Sequence, residues 1–219
     1  MRVGFRDDPR LARAWFALTA LTVAVAIVVQ ARATLQLDEG FFDNDLKRVL
    51  NIFVFFTIQS NLLVGATTGA LAIRLDRAST AFRAVYLAAI LDITVTGVVF
   101  QIALADLDQL QGKAAAADFL LHKAIPAMAV LGWLVFGPRG LFTRRIVPYA
   151  TIVPVAWVLF TLARGPLASD FYPYPFVDVV DLGYARVLVN IVVITVFFFG
   201  LAAGAVALDR RLGKVAVAS

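Results

Sequence analysis

His122 is the only histidine among 219 residues, and the chain contains no cysteine. A single imidazole cannot hold a haem from both sides, and without thiolates no site of mixed His and Cys ligands can be assembled. The chemistry open to it is proton transfer, because the ring titrates near neutral pH. Thr57, Ser60 and Asn61 stand at i, i+3 and i+4 within Phe55-Phe56-Thr57-Ile58-Gln59-Ser60-Asn61-Leu62-Leu63 and so share one helical face. A hydroxyl, an imidazole and a carboxylate in line form a proton relay, and Asp178 or Asp181 can supply the carboxylate from the last long loop.

The elements that must position these groups are membrane spans. Hydrophobic residues make up 61% of the chain and charged residues 16%, with a mean hydropathy of +0.85. Soluble domains sit near 45–50% and about 25%. The spacing predicts an all-α protein, one domain over residues 1–219, built as a bundle of six transmembrane helices. The spans fall near Leu11–Ala31, Val49–Ile73, Arg83–Ala105, Phe119–Phe136, Ile146–Ala163 and Val187–Leu208, each long enough for a hydrocarbon core of ~30 Å. Loops on one side carry 13 Lys and Arg, from Arg2, Arg6, Arg10 and Arg13 through to Arg210, Arg211 and Lys214, against 7 on the other. That bias places both termini in the cytoplasm. The net charge of +5 comes from these short loops and forms no basic stripe, so no nucleic-acid partner is expected. The opening arginines, apolar run and Ala31-Arg32-Ala33 resemble a signal peptide, but the run is longer than a signal core and is read as a span.

In this layout Thr57 lies eight residues into the second span, ~12 Å from its outer edge at helical rise. His122 lies four residues into the fourth span, at similar depth in the same leaflet. Each polar group also has a plain structural reading. Intramembrane threonines commonly bond the i−4 carbonyl, a buried histidine can bond a carbonyl, and Gln59, Ser60 and Asn61 can join helices. Asp92, mid-way along the third span, is expected to be protonated, paired with a basic residue or part of a polar network, and reads as a structural or network residue. Gln101 and Asn190 stand near the outer ends of the third and sixth spans, within reach of the same cavity. The loop from Asp170 to Tyr184, rich in Pro and aromatics, is suited to the membrane interface or to a lid.

Phe56-Thr57-Ile58-Gln59-Ser60-Asn61-Leu62, the His122 helix with Pro126 and Trp133, and Tyr174-Pro175-Phe176 before the last span resemble the androgen-induced and androgen-dependent TFPI-regulating protein family. The resemblance covers nearly the whole chain in layout, and this chain is similar to a prokaryotic-type member. It implies a membrane hydrolase of fatty acid esters of hydroxy fatty acids. The family's threonine nucleophile corresponds to Thr57 and its histidine to His122. Ser60 is a rival nucleophile on the same face. A hydroxyl needs a general base within hydrogen-bond reach, which neutral His122 supplies. Gln59, Ser60, Asn61, Gln101 or Asn190 would donate to the oxyanion, worth ~3 kcal/mol for a well-placed donor. The implied partners are a lipid substrate from the outer leaflet and the membrane lipids themselves, with no cofactor and no metal, in the cell membrane.

Two other readings use the same residues. A lipid- or solute-binding protein or small carrier would use the polar pocket, with Asp92 and His122 relaying protons. A structural subunit would use Gly65-Ala-Thr-Thr-Gly69 for close helix packing. A Thr57 hydroxyl within ~3.2 Å of a His122 nitrogen favours catalysis, whereas a polar path past Asp92 favours transport.

Overall fold

The structure, a computed structural model, describes residues 8–36, 41–42, 44–105 and 110–218, with side chains described up to Gly213. Arg2, Arg6 and the Lys214 side chain, which enter the charge bias, lie outside the described residues. Every regular element among the described residues is helical. They are α1 (Pro9–Thr34), α2 (Asp45–Asn51), α3 (Phe56–Ile73), α4 (Thr80–Ala103), α5 (Gly112–Phe119), α6 (Ile125–Phe136), α7 (Val147–Ala150), α8 (Ile152–Arg164) and α9 (Val179–Ala218). A π-turn, Leu120–Ala124, joins α5 to α6, and 3₁₀ turns occupy Ile52–Val54, Gly165–Ala168 and Pro175–Val177. Among the described residues, six helical stretches are long and apolar enough to cross a membrane: Pro9–Thr34, Phe56–Ile73, Thr80–Ala103, Gly112–Phe136, Val147–Ala168 and Val179–Gly213.

Local chemistry sets several helix starts. Asp8 caps α1 by accepting from the Arg10 N–H, with Pro9 in the first turn. Asn44 caps α2 through the Leu46 and Lys47 N–H groups, and Ser79 caps α4 through that of Phe82. Asp178 does the same for α9, accepting from the Val180 and Asp181 N–H groups. Gly183 kinks α9 just after its first turn, with a φ of 70°.

Two departures from the expected spans matter for the site. The second span does not run on as one helix from Val49. It is split into α2, a 3₁₀ turn and α3, with Phe55 extended at ψ 132°. The break persists because a distant side chain takes up a freed carbonyl, Trp157 Nε1 donating to that of Val54 at 2.8 Å; nearby, Arg164 Nη2 ties the α8 end to the Asn51 side chain at 2.8 Å. The fourth span starts seven residues earlier than expected, at Gly112. Lys113 and Asp118 give that stretch the look of a loop, but the alanines between them are the best helix formers.

The central packing runs α1 on α3, α3 on α4, and α4 on α6, while α5 and α6 close back on α1. Small residues set the approach distances. A Cβ at Gly65 would lie 3.0 Å from Val23 Cγ1, and one at Gly69 3.8 Å from the Ala20 Cβ. The Gly65–Gly69 pair therefore seats α3 on α1 within one chain. Across α1 and α6, Trp15 Nε1 donates to the Met128 carbonyl at 3.1 Å. A Cβ at Gly132 would come within 2.6 Å of that same nitrogen. Gly132→Val is therefore expected to destabilise the bundle by about 1–3 kcal/mol through overpacking and loss of the Trp15 bond. Thermal unfolding of the purified variant in detergent checks this, and an unchanged midpoint contradicts it.

Candidate functional site

The break at Phe55 decides what Thr57 can do. Because α3 begins at Phe56, Thr57 lies in its first turn, where N–H groups have no helical carbonyl. Tyr174 Oη, on the loop before α9, accepts from the Thr57 N–H at 3.0 Å. The hydroxyl is set apart as well. Thr19, Thr22, Thr67, Thr68 and Thr94 all return their hydroxyls to the i−4 carbonyl. For Thr57 that carbonyl belongs to Phe53, beyond the break, and Gln59 Nε2 donates to it. Thr57 Oγ1 lies instead 3.2 Å from His122 Nε2 and 3.0 Å from Tyr174 Oη.

His122 sits in the π-turn, a local widening of the helix often found at functional positions. One turn earlier, Asp118 Oδ1 lies 2.9 Å from His122 Nδ1. A carboxylate there accepts, so Nδ1 carries the proton and Nε2 presents its lone pair to Thr57. The Phe100 ring of α4 stacks on the imidazole at 3.9 Å and 8°, fixing its plane. Asn61 Nδ2 donates to the Thr57 and Leu121 carbonyls at 2.7 and 3.2 Å, tying the start of α3 to the π-turn. Gly97 gives α4 its close approach, since a Cβ there would lie 3.4 Å from the His122 carbonyl oxygen. Burial pushes the Tyr174 phenol up to about 12, so near neutral pH it keeps its proton. It accepts from the Thr57 N–H and has that proton to donate to Thr57 Oγ1. Hydrogen bonds thus run in one direction, from Tyr174 through Thr57 and His122 to Asp118.

Thr57 is 7% exposed and stands where two cavities meet. An apolar one of about 320 Å³ lies among α4, α8 and α9. A wider vestibule of about 850 Å³ is lined by Asp118, His122, Lys123 and Arg48 together with aromatic rings of Phe41, Phe55 and Phe171. Thr57, Phe100, Leu104 and Tyr174 belong to both.

Of the residues singled out from sequence, Thr57, Asn61 and His122 come together. Ser60 is fully buried, bonded to the Thr57 carbonyl at 3.0 Å and to Thr96 Oγ1 at 2.9 Å, and lines neither cavity. Gln59 serves the break, Gln101 is exposed and lines neither cavity, and Asn190 donates to the Phe176 carbonyl at 2.9 Å. Asp178 and Asp181 do not orient the imidazole. Asp178 caps α9, where N–H groups are free to be bonded, and Asp181 is exposed. The carboxylate on His122 is Asp118, whose i−4 spacing was readable once Gly112–Phe119 is taken as helix. Asp92 is fully buried, lines neither cavity, and has no hydrogen-bond partner at either carboxyl oxygen among the described residues, so the polar network expected around it does not form there.

Comparison with protein-family models, with curated proteins and with solved structures gives no match to this chain. The geometry therefore stands alone. Tyr174→Phe removes one donor to Thr57 Oγ1 and leaves the Thr57 N–H unsatisfied, an expected loss of about 1–3 kcal/mol. Thermal unfolding measures it, and a variant as stable as the parent would show that the first turn of α3 does not need the phenol.

Proposed function

We propose that this protein is a six-span membrane hydrolase of lipid esters, with Thr57 as nucleophile, His122 as general base and Asp118 as the group that orients His122. The observation that carries the reading is the Thr57–His122–Asp118 line at 3.2 and 2.9 Å, placed where an uncharged cavity meets a vestibule with charged side chains in its wall. A hydroxyl, an imidazole and a carboxylate in hydrogen-bond sequence are what acyl transfer needs.

The reaction follows from the arrangement. Thr57 Oγ attacks the ester carbonyl as its proton passes to His122 Nε2. The imidazolium is stabilised by Asp118, and the oxyanion forms beside the Tyr174 hydroxyl and the positive end of α3. Collapse expels the alcohol oxygen, which takes the proton from His122 and leaves an acyl-threonine ester. Water from the vestibule then attacks that ester, giving its proton to His122. Release of the fatty acid restores the Thr57 hydroxyl.

The charge bias of the loops supports cytoplasmic termini, a location in the cell membrane, and a site in the outer leaflet. There acyl chains remain in hydrocarbon while water reaches the carbonyl. The resemblance to the androgen-induced and androgen-dependent TFPI-regulating proteins supports fatty acid esters of hydroxy fatty acids as the substrate class. The residues corresponding to that family's threonine and histidine are the two held 3.2 Å apart.

Thr57→Ala and His122→Ala are each expected to lower kcat by about 10³-fold or more, and Asp118→Asn by ~10²- to 10⁴-fold, with folding retained. Ser60→Ala should have a much smaller effect. Labelling of the purified protein by a fluorophosphonate should follow the same order. Labelling that survives Thr57→Ala and is lost with Ser60→Ala changes the nucleophile, and failure to label the folded wild type overturns the hydrolase.

A further inference from the structure

The apolar cavity extends well past the reacting hydroxyl. Its upper part lies beside Tyr174, Trp157 and Thr57. From there it follows α9 from Ile191 to Phe199, ~12 Å at helical rise. The lining contains no charged side chain, and its only alcohols besides Thr57 and Tyr174 are Thr96, Thr151 and Thr195. It is also open at the side. Trp157 anchors the middle of α8 to the break, but among the described residues α8 and α9 have at most sparse backbone contact. The cavity fills the gap between them. Val155 and Leu159 on one side and Phe199 on the other are 54%, 64% and 48% exposed while lining it.

We propose that this gap is a lateral portal, through which one straight alkyl chain of a membrane lipid passes between α8 and α9 with its carbonyl end at Thr57. The occupant follows from the shape and lining. The space of about 320 Å³ is uncharged and follows α9 over ~12 Å, it is continuous with the nucleophile, and it opens on the flank of helices long enough to cross a bilayer. A head group with charge would be stranded there, whereas an alkyl chain buries its surface against Val158, Ile194 and Phe198. At ~1.2 Å per extended bond, a depth of ~12 Å holds about ten carbons. The vestibule is left for the alcohol half of the ester and for water. This assignment of the two halves rests on the hydrolase reading, but the portal itself does not.

The test is photolabelling of the protein in phosphatidylcholine vesicles by a palmitic acid bearing a diazirine at mid-chain, about eight carbons from its carboxyl and so within the ~12 Å depth of the cavity, followed by peptide mapping. Label is expected to concentrate on residues 151–159 and 191–199. Val158→Trp and Thr195→Trp, which fill the cavity from opposite walls, should each remove most of it. Val192→Trp, at a position 60% exposed and outside the lining, should leave it in place. In parallel, the ratio of p-nitrophenyl palmitate to p-nitrophenyl butyrate hydrolysis should fall in the two filling variants. Label spread evenly over the exposed faces of all spans, or unchanged by both fillings, overturns the portal. Ester turnover with evenly spread label overturns the portal alone. Localised label without ester turnover by the wild type supports the portal and overturns the hydrolase.

Discussion

A helix that starts inside an apolar bundle leaves backbone groups that hydrocarbon cannot satisfy, and the site of this protein is built around that constraint. The break at Phe55 frees the Val54 and Phe53 carbonyls and the Thr57 N–H. Trp157, Gln59 and Tyr174 take them up from α8, α3 and the loop before α9. Each of these bonds brings an element to the same point. The result is a threonine that has lost the usual helical partner for its hydroxyl and gained an imidazole and a phenol.

The opposite end of the bundle follows the same rule with ordinary means. Arg139 donates to the Trp133 and Leu134 carbonyls at 2.8 and 2.7 Å, closing the last turn of α6. Asp209 Oδ2 accepts from the Phe142 N–H at 2.9 Å, fastening α9 to the loop after α6. These bonds stabilise the frame and hold α9 to the end of α6. At the Phe55 end the satisfying groups surround a hydroxyl that faces open space.

Much of this was legible in the sequence, because long apolar runs and single polar residues within them carry strong signals. Six spanning stretches follow from hydropathy, and the imidazole had to be His122 because no other exists. The threonine could be shortlisted from its face, but its special standing could not. That depends on Phe55 leaving the helix, which is decided by Trp157 and Tyr174 over a hundred residues away in sequence. Asp118 was hidden by a different effect: two charges around an alanine run look like loop, although alanine holds the helix and places the carboxylate one turn from the ring. Asp178 drew notice as a loop acid near an aromatic lid, yet a free helix start close by is a nearer partner. Local capping outcompeted a distant imidazole.

The stacking of Phe100 on His122 gives the molecule a built-in reporter. Ring-current shielding from a face held 3.9 Å away displaces the two carbon-bound imidazole protons upfield. Since no second histidine exists, those two resonances need no assignment by mutagenesis. Any event that tilts α4 or unwinds the π-turn, whether a bound lipid, a change of detergent or an altered vesicle thickness, is written in one isolated pair of lines.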